Sequence, residues 1–438
     1  MERNPFNGGM DDPLETQPAA GPLIGRIRPP GSKSLTNRAL VCAALADGQS
    51  TLAGALDSED TRVMIDSLRQ LGLQVDVDLG AKTIRVGGCG GRLPVKEATL
   101  YVANSGTTMR FLAALVCLGQ GAFTLDGTSR MRERPIEDLL QALRQLGVDA
   151  QSKAGNGCPP VVIHAKGLAG GKASVRGDVS SQFLSGLLLA APYAQQDVEL
   201  QVQGVLVSQP CVRMTLGVMS EFGVSANADD LTRFVIPAGQ RYQARAYDIE
   251  PDASAASYFW AAAAITGGRV TVEGLSKDSR QGDVAFCDCL KRMGCDVTDD
   301  GSGLAVTGRP LQGIEVDMNA ISDTVQTLAA VALFADGPTT MTGVAHIRHK
   351  ETDRIGDLAR ELRKLGAAVE ELSDGLRITP ATLRPAAIDT YNDHRMAMSL
   401  ALVGLKAPAI LIRNPKCTEK TYPEYFADLS RLTQGLLK

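Results

Sequence analysis

Aromatic side chains are scarce in this sequence: they make up 4% of its 438 residues, with a single Trp. The interior must then be filled mostly by Ala, Leu, Val and Ile. Basic charge is not in excess either. Forty-five Lys and Arg stand against 49 Asp and Glu, a formal net charge of −4, which speaks against a nucleic-acid binder. No apolar run reaches the length of a bilayer span; the longest, MAMSLALVGLKAPAILI, is interrupted by Lys406 and Pro408, so no membrane role is expected. The start of the chain lacks both an apolar signal core and an Arg-rich, acid-poor transit composition, and residues 1–20 read as a flexible polar tail. Nine cysteines without regular spacing point to reduced thiols and a cytoplasmic protein. Cys287, Cys289 and Cys295 meet no second pair that completes a zinc set, and His164, His346, His349 and His394 show no i, i+4 pairing, so no metal site is expected. A Ser-His-Asp order and a Rossmann glycine fingerprint are also missing.

What is present is a repeat. An amphipathic helix, an apolar residue, Gly and a strand recur in MIDSLRQLGLQVDVD, LLQALRQLGVDAQS, TLGVMSEFGVSANA, FCDCLKRMGCDVTD and LARELRKLGAAVEEL. The glycines are Gly72, Gly147, Gly223, Gly294 and Gly366, spaced by 71 to 76 residues. Gly after such a helix predicts a left-handed cap. A second helix family, rich in Ala and Leu and nearly free of charge, interleaves with the first in six copies, among them RFLAALVCLGQG and YFWAAAAITGG. A helix apolar on all sides is a buried helix. Six repeats follow, each close to β-α-β-α-β-β, with the amphipathic motif visible in five. The chain is too long for one core, and six repeats predict an α/β protein of two domains, three repeats each. The expected domains are 1–31 plus 251–438, and 32–250. The N-terminal segment would supply the first strand of the domain that contains residues 251–438, the chain crossing twice, with one cleft expected between the domains.

The chemistry-bearing stretches precede the buried helices: GSKSLTNR at 31–38, NSGTTMR at 104–110, SSQF at 180–183, PDAS at 251–254, ISDT at 321–324 and YNDHR at 391–395. Helix N-termini carry unsatisfied N–H groups and partial positive charge, so they receive anions. GSKSLTNR is no nucleotide P-loop, because Ser32 separates Gly31 from Lys33. Read alone it is a Ser-capped helix; the recurrence of such sets shifts the balance toward anion binding. Arg110, the Arg130, Arg132 and Arg134 of SRMRERP, the Arg348, Lys350 and Arg354 of RHKETDR, Arg395, Lys416 and Lys420 gather at the same junctions. Arginines give two-pronged grips on phosphate and carboxylate, and such a set in an acidic protein suggests a small, multiply anionic substrate. Asp323, Glu351, Asp353 and Asp393 are the acid–base candidates, with helix capping the alternative for Asp323 and Asp393.

Taken together, PPGSKSLTNRAL, NSGTTMR, RMRERPI, SSQFLSGLLLAAP, DASAASYF, QGD, KETDR, YNDHRMAM and PKCTEKTYPEYF resemble, in order, the signatures of the 5-enolpyruvylshikimate-3-phosphate synthase family, from about Ile27 to the C-terminus. The resemblance implies transfer of the enolpyruvyl group of phosphoenolpyruvate to the 5-hydroxyl of shikimate 3-phosphate through a tetrahedral ketal. Phosphate is released, and no metal or organic cofactor takes part. It assigns Lys33, Ser34, Arg38, Ser180, Ser181, Gln182, Ser208, Asp323, His346 and Lys350 to shikimate 3-phosphate. Lys33, Asn104, Gly106, Arg130, Gln182, Arg354, Arg395 and Lys420 fall to phosphoenolpyruvate. Glu351 with Lys33 is expected on the proton-donor side and Asp323 as base. A monomer and competitive inhibition by glyphosate are also implied.

Phe111, Cys211 and His346 depart from the pattern, standing where members often carry Pro, Tyr and Asn. The related enolpyruvyl transferase acting on UDP-N-acetylglucosamine lacks GSKS and carries a reactive loop Cys. RNA 3′-phosphate cyclase needs ATP and a nucleophilic His. A non-catalytic anion-binding relative would not need the retained Lys33, Asp323, Glu351 and Arg395.

Overall fold

The computed structural model describes residues 10–437. Its plan follows from the two helix families. The charge-free segments form six inner helices, Lys33–Leu45, Gly106–Leu115, Ser181–Ala190, Ala253–Thr266, Val325–Ala332 and His394–Ala401. All residues of Ala253–Thr266 are buried; its Trp260 satisfies the one polar atom of its ring by donating Nε1–H to Leu304 O at 3.0 Å. Small residues let these helices approach closely. A Cβ on Gly186 would lie 2.8 Å from the Arg110 carbonyl oxygen of the neighbouring inner helix.

The amphipathic segments form outer helices, such as Glu137–Gln145, which buries Leu139, Leu140, Ala142 and Leu143. Gly72, Gly147, Gly223, Gly294 and Gly366 all have φ between 84° and 111°, the left-handed cap that only glycine adopts without strain.

Five sheets share one strand order. In the second, Glu97–Tyr101 runs parallel to Gln120–Asp126, which pairs antiparallel with Val161–Lys166, which pairs antiparallel with Asp149–Ser152. Each has a parallel strand beside a hairpin-forming pair; in three of them the parallel connection crosses over through an inner helix, as in the β-α-β-α-β-β repeat. The last repeat differs. Its sheet has three strands, and Leu14–Thr16 pairs antiparallel with Ile410–Ile412, in the place a hairpin strand holds elsewhere. The tail expected at 1–20 is therefore partly a strand, because the last repeat ends in a helix, Tyr425–Thr433, and leaves that place open. Residues 1–9 lie outside the described residues.

The chain divides into two compact units, one of residues up to Pro30 together with those from Pro251 on, the other Gly31–Glu250. Each has its own core. Ile24–Ile27 runs parallel to Arg269–Glu273 and completes a sheet of the first, while Ala246–Asp248 runs parallel to Gln49–Ala53 and completes one of the second. No helix among the described residues is long and apolar enough to cross a membrane.

Candidate functional site

In the unit of residues 31–250, Ser32 caps the first inner helix, and Lys33 and Ser34 form its first turn. Lys33 Nζ lies 3.4 Å from Asp60 Oδ2, in the first turn of the outer helix Glu59–Gln70. Arg38, one turn further on, is 2% exposed and has only neutral hydrogen-bond partners. Its Nε donates to Thr215 Oγ1 at 2.7 Å, Nη1 to Ser34 O at 2.9 Å and Nη2 to Cys211 O at 3.1 Å. Burial pulls its pKa below the usual arginine value, opposed by Cys211, Cys42 and Tyr247. A buried guanidinium held by neutral acceptors is a strong anion site. Phe111 lies under it, 5.2 Å from guanidinium carbon to ring centroid.

The second and third inner helices meet where Gln182 Nε2 donates to Thr107 Oγ1 at 3.2 Å. Ser180 caps the third, its Oγ accepting from Gln182 N, with Ser181 next in line. Ser208 stands at φ 51° and opens the helix Gln209–Glu221.

Of the arginines in SRMRERP, the one that reaches Asn104 and Gly106 is Arg134. Its Nη1 donates to Asn104 O at 3.0 Å and Asn104 Oδ1 at 3.2 Å. A Cβ on Gly106 would sit 2.5 Å from Arg134 Nη2 and 2.4 Å from Arg110 Nη1. Arg130 instead pairs with the exposed Glu133 at 2.9 Å. The short helical turn Met131–Glu133 separates the two arginines.

In the other unit, three cations converge on Asp323. Lys350 Nζ donates to Oδ1 at 2.5 Å, Arg354 Nη1 to Oδ1 at 3.1 Å and Arg395 Nη2 to Oδ2 at 2.8 Å. Asp323 is not a cap. The fifth inner helix starts only at Val325, after a 3-10 turn broken at Ile321, and this turn leaves both carboxylate oxygens to the cations. Asp393 does cap its helix, accepting from Arg395 N at 2.9 Å, and also holds Arg354 with two prongs at 2.7 and 3.1 Å. Arg354 Nη2 reaches Glu351 Oε2 at 2.9 Å, and Lys420 Nζ lies 4.0 Å from Glu351 Oε1. Asp353 faces away, pairing with Arg348 at 2.9 Å.

Burial pulls the Arg354 pKa down, and Asp393, Glu351 and Asp323 together outweigh it and hold the guanidinium above its ordinary value. Arg395 is likewise raised despite burial, by Asp323, Tyr258, Asp283 and Asp252. Burial, reinforced by Lys350, pushes His346 down to about 3. Its neutral ring sits 3.1 Å from Ser322 Oγ. Burial and the nearby Asp323 raise Asp283 to about 6.

The sequence reading missed Arg134 as the Gly106 neighbour, Asp60 as the partner of Lys33 and Asp283 beside Arg395. Asp283 was within sight, in the QGD signature; the Asp60 stretch carries no motif, and three arginines in five residues cannot be ranked without a fold.

The model of the EPSP synthase (3-phosphoshikimate 1-carboxyvinyltransferase) family matches residues 18–429. A 3-phosphoshikimate 1-carboxyvinyltransferase of Nostoc punctiforme is 50% identical over 416 residues, covering 95% of this chain and 98% of its own. A chloroplastic 3-phosphoshikimate 1-carboxyvinyltransferase of Brassica napus is 48% identical over 94% of this chain and 84% of its own. Among solved structures, an EPSP synthase from Acinetobacter baumannii superposes with a TM-score of 0.79 at 25% identity, over 95% of this chain and 97% of that one. The buried cations at the inner-helix starts thus lie on a scaffold and a sequence that agree, and the chain belongs to the EPSP synthase family.

Proposed function

We infer that this chain transfers the enolpyruvyl group of phosphoenolpyruvate to the 5-hydroxyl of shikimate 3-phosphate and releases phosphate. The observation that carries the reading is that each unit bears an anion grip and that the two are unlike. Arg38 is buried among neutral acceptors, while Lys350, Arg354 and Arg395 share one carboxylate, Asp323. The first suits a fixed anion that stays unchanged, the phosphate-bearing acceptor, alongside Ser34, Ser180, Ser181, Gln182 and Ser208. The second suits a reacting anion with a carboxylate base among cations. Lys350 and the neutral His346 complete the acceptor's contacts.

In the addition step Asp323 takes the proton of the 5-hydroxyl, whose oxygen attacks C2 of phosphoenolpyruvate. The methylene carbon gains a proton from the side of Glu351 and Lys33, giving a tetrahedral ketal. In the elimination the new methyl group loses a proton, the bond from C2 to the phosphate oxygen breaks, and phosphate leaves. Arg354, Arg395, Lys420, Asn104, Gly106 and Gln182 hold phosphoenolpyruvate; the geometry favours Arg134 over Arg130 beside them. Fixed cations aimed at the developing charge supply stabilisation and orientation without reorganising.

The chain acts as a monomer without an organic cofactor, and glyphosate competes with phosphoenolpyruvate. Phe111 weakens that competition through the helix that bears Gly106; an inhibition constant unchanged by Phe111→Pro would refute this. The decisive experiment is phosphate release from phosphoenolpyruvate with and without shikimate 3-phosphate, a chelator present throughout. Release that requires both substrates is expected. Release from phosphoenolpyruvate alone, or none with both, overturns the reading.

A further inference from the structure

The loop that delivers Asp393 to its arginines is built against its own conformational preference. Tyr391 and Asn392 stand in series at φ 53° and 54°, the left-handed region. A bulky residue such as Tyr stays there only when its surroundings hold it. The turn they make lets Asp393 enter as cap of the last inner helix with Arg354 on its two oxygens.

What holds Tyr391 is the outer helix Gly356–Lys364. Glu361, with no exposed surface, accepts the Tyr391 hydroxyl at 2.5 Å and the Asp389 N–H at 3.0 Å. Lys364 balances its charge at 2.8 Å. Arg360 donates to the same hydroxyl at 3.1 Å and lies 5.6 Å over the Tyr391 ring. From the opposite side, Asn414 Nδ2 donates to Asn392 Oδ1 at 3.1 Å. The outer helix begins two residues after Arg354. The outer helix and the residue two before its start therefore grip the loop twice, through Glu361 at Tyr391 and through Arg354 at Asp393.

We propose that Glu361 and Tyr391 are positioning residues for the anion site: their hydrogen bond latches the left-handed turn that aims Asp393, and through it Arg354 and Arg395. Neither touches a reacting atom. The inference rests on the reading that these arginines grip phosphoenolpyruvate. Tyr391→Phe keeps the ring and removes the latch. The KM for phosphoenolpyruvate is expected to rise roughly tenfold, as for loss of one hydrogen bond to a charged group, with the KM for shikimate 3-phosphate within about twofold. Amide hydrogen exchange in the peptide over residues 386–395 quickens. Adding Asn392→Gly, which accepts the left-handed turn freely, recovers most of the loss. Unchanged exchange in Tyr391→Phe, or equal rises in both KM values, overturns the latch. A wild-type enzyme that releases no phosphate overturns the functional reading instead, and the exchange comparison, which needs no turnover, still decides the latch.

Discussion

Replacing Asp323 with Asn separates the roles of base and scaffold. The carboxylate accepts from Lys350, Arg354 and Arg395 at 2.5 to 3.1 Å, and hydrogen bonds to charged groups contribute about 1.5–3 kcal/mol each. Three do not add up here. Asn keeps one oxygen, the Asp323 side chain is 30% exposed and so partly screened, and Arg354 retains Asp393 and Glu351. A net loss of about 1–2 kcal/mol remains, a fall in Tm of roughly 2–8 °C for a unit of this size. With Asp323 as the base of the proposed reaction, kcat is expected to fall by about 10² to 10⁴. Affinity moves the other way: with the shared carboxylate neutralised, three cations carry more uncompensated charge, so the KM for phosphoenolpyruvate holds steady or drops. Steady-state phosphate release with each substrate varied, beside a thermal melt, reads all three. A kcat within tenfold of wild type with a lowered Tm would make Asp323 a scaffold. A KM rise that accounts for the whole loss would make it a binding group.

Arg134→Met, which removes the guanidinium beside Asn104 and Gly106, should raise the KM for phosphoenolpyruvate by at least about tenfold, and by more than Arg130→Met does; the same assay ranks them. Gly106→Ala places a Cβ 2.4 Å from Arg110 Nη1 and 2.5 Å from Arg134 Nη2, so both guanidiniums must shift; the KM for phosphoenolpyruvate is expected to rise while the KM for shikimate 3-phosphate is unmoved, and equal changes in both refute the argument. Asp283, raised by burial and by Asp323 to about 6, is favoured protonated in the fold. Its contribution is full below an unfolded pKa of about 4 and lost as pH rises through about 6. Asp283→Asn therefore melts higher than wild type at pH 7–8, and the gap closes near pH 4; a gap independent of pH rejects this. His346, neutral above about 3, runs with the opposite sign: its contribution is full above about 6.5 and lost as pH falls toward 3, and His346→Asn should flatten the acid limb of the melting profile.

The repeat, the two helix families and the left-handed glycines at 72, 147, 223, 294 and 366 were legible in the sequence because each rests on local physics: periodicity of apolar residues and the freedom of a residue without Cβ. Even the helix starts that bear the site could be marked, since Ser, Asp and Thr at such starts announce themselves. The tertiary structure alone decided which charge meets which. It set Asp323 apart from the capping aspartates by delaying its helix to Val325, chose Arg134 over Arg130 at Gly106, put Phe111 beneath Arg38, and brought Leu14–Thr16 into the last sheet. These are pairings between residues far apart in the chain. Their energies depend on burial and distance, quantities that spacing along a sequence does not contain.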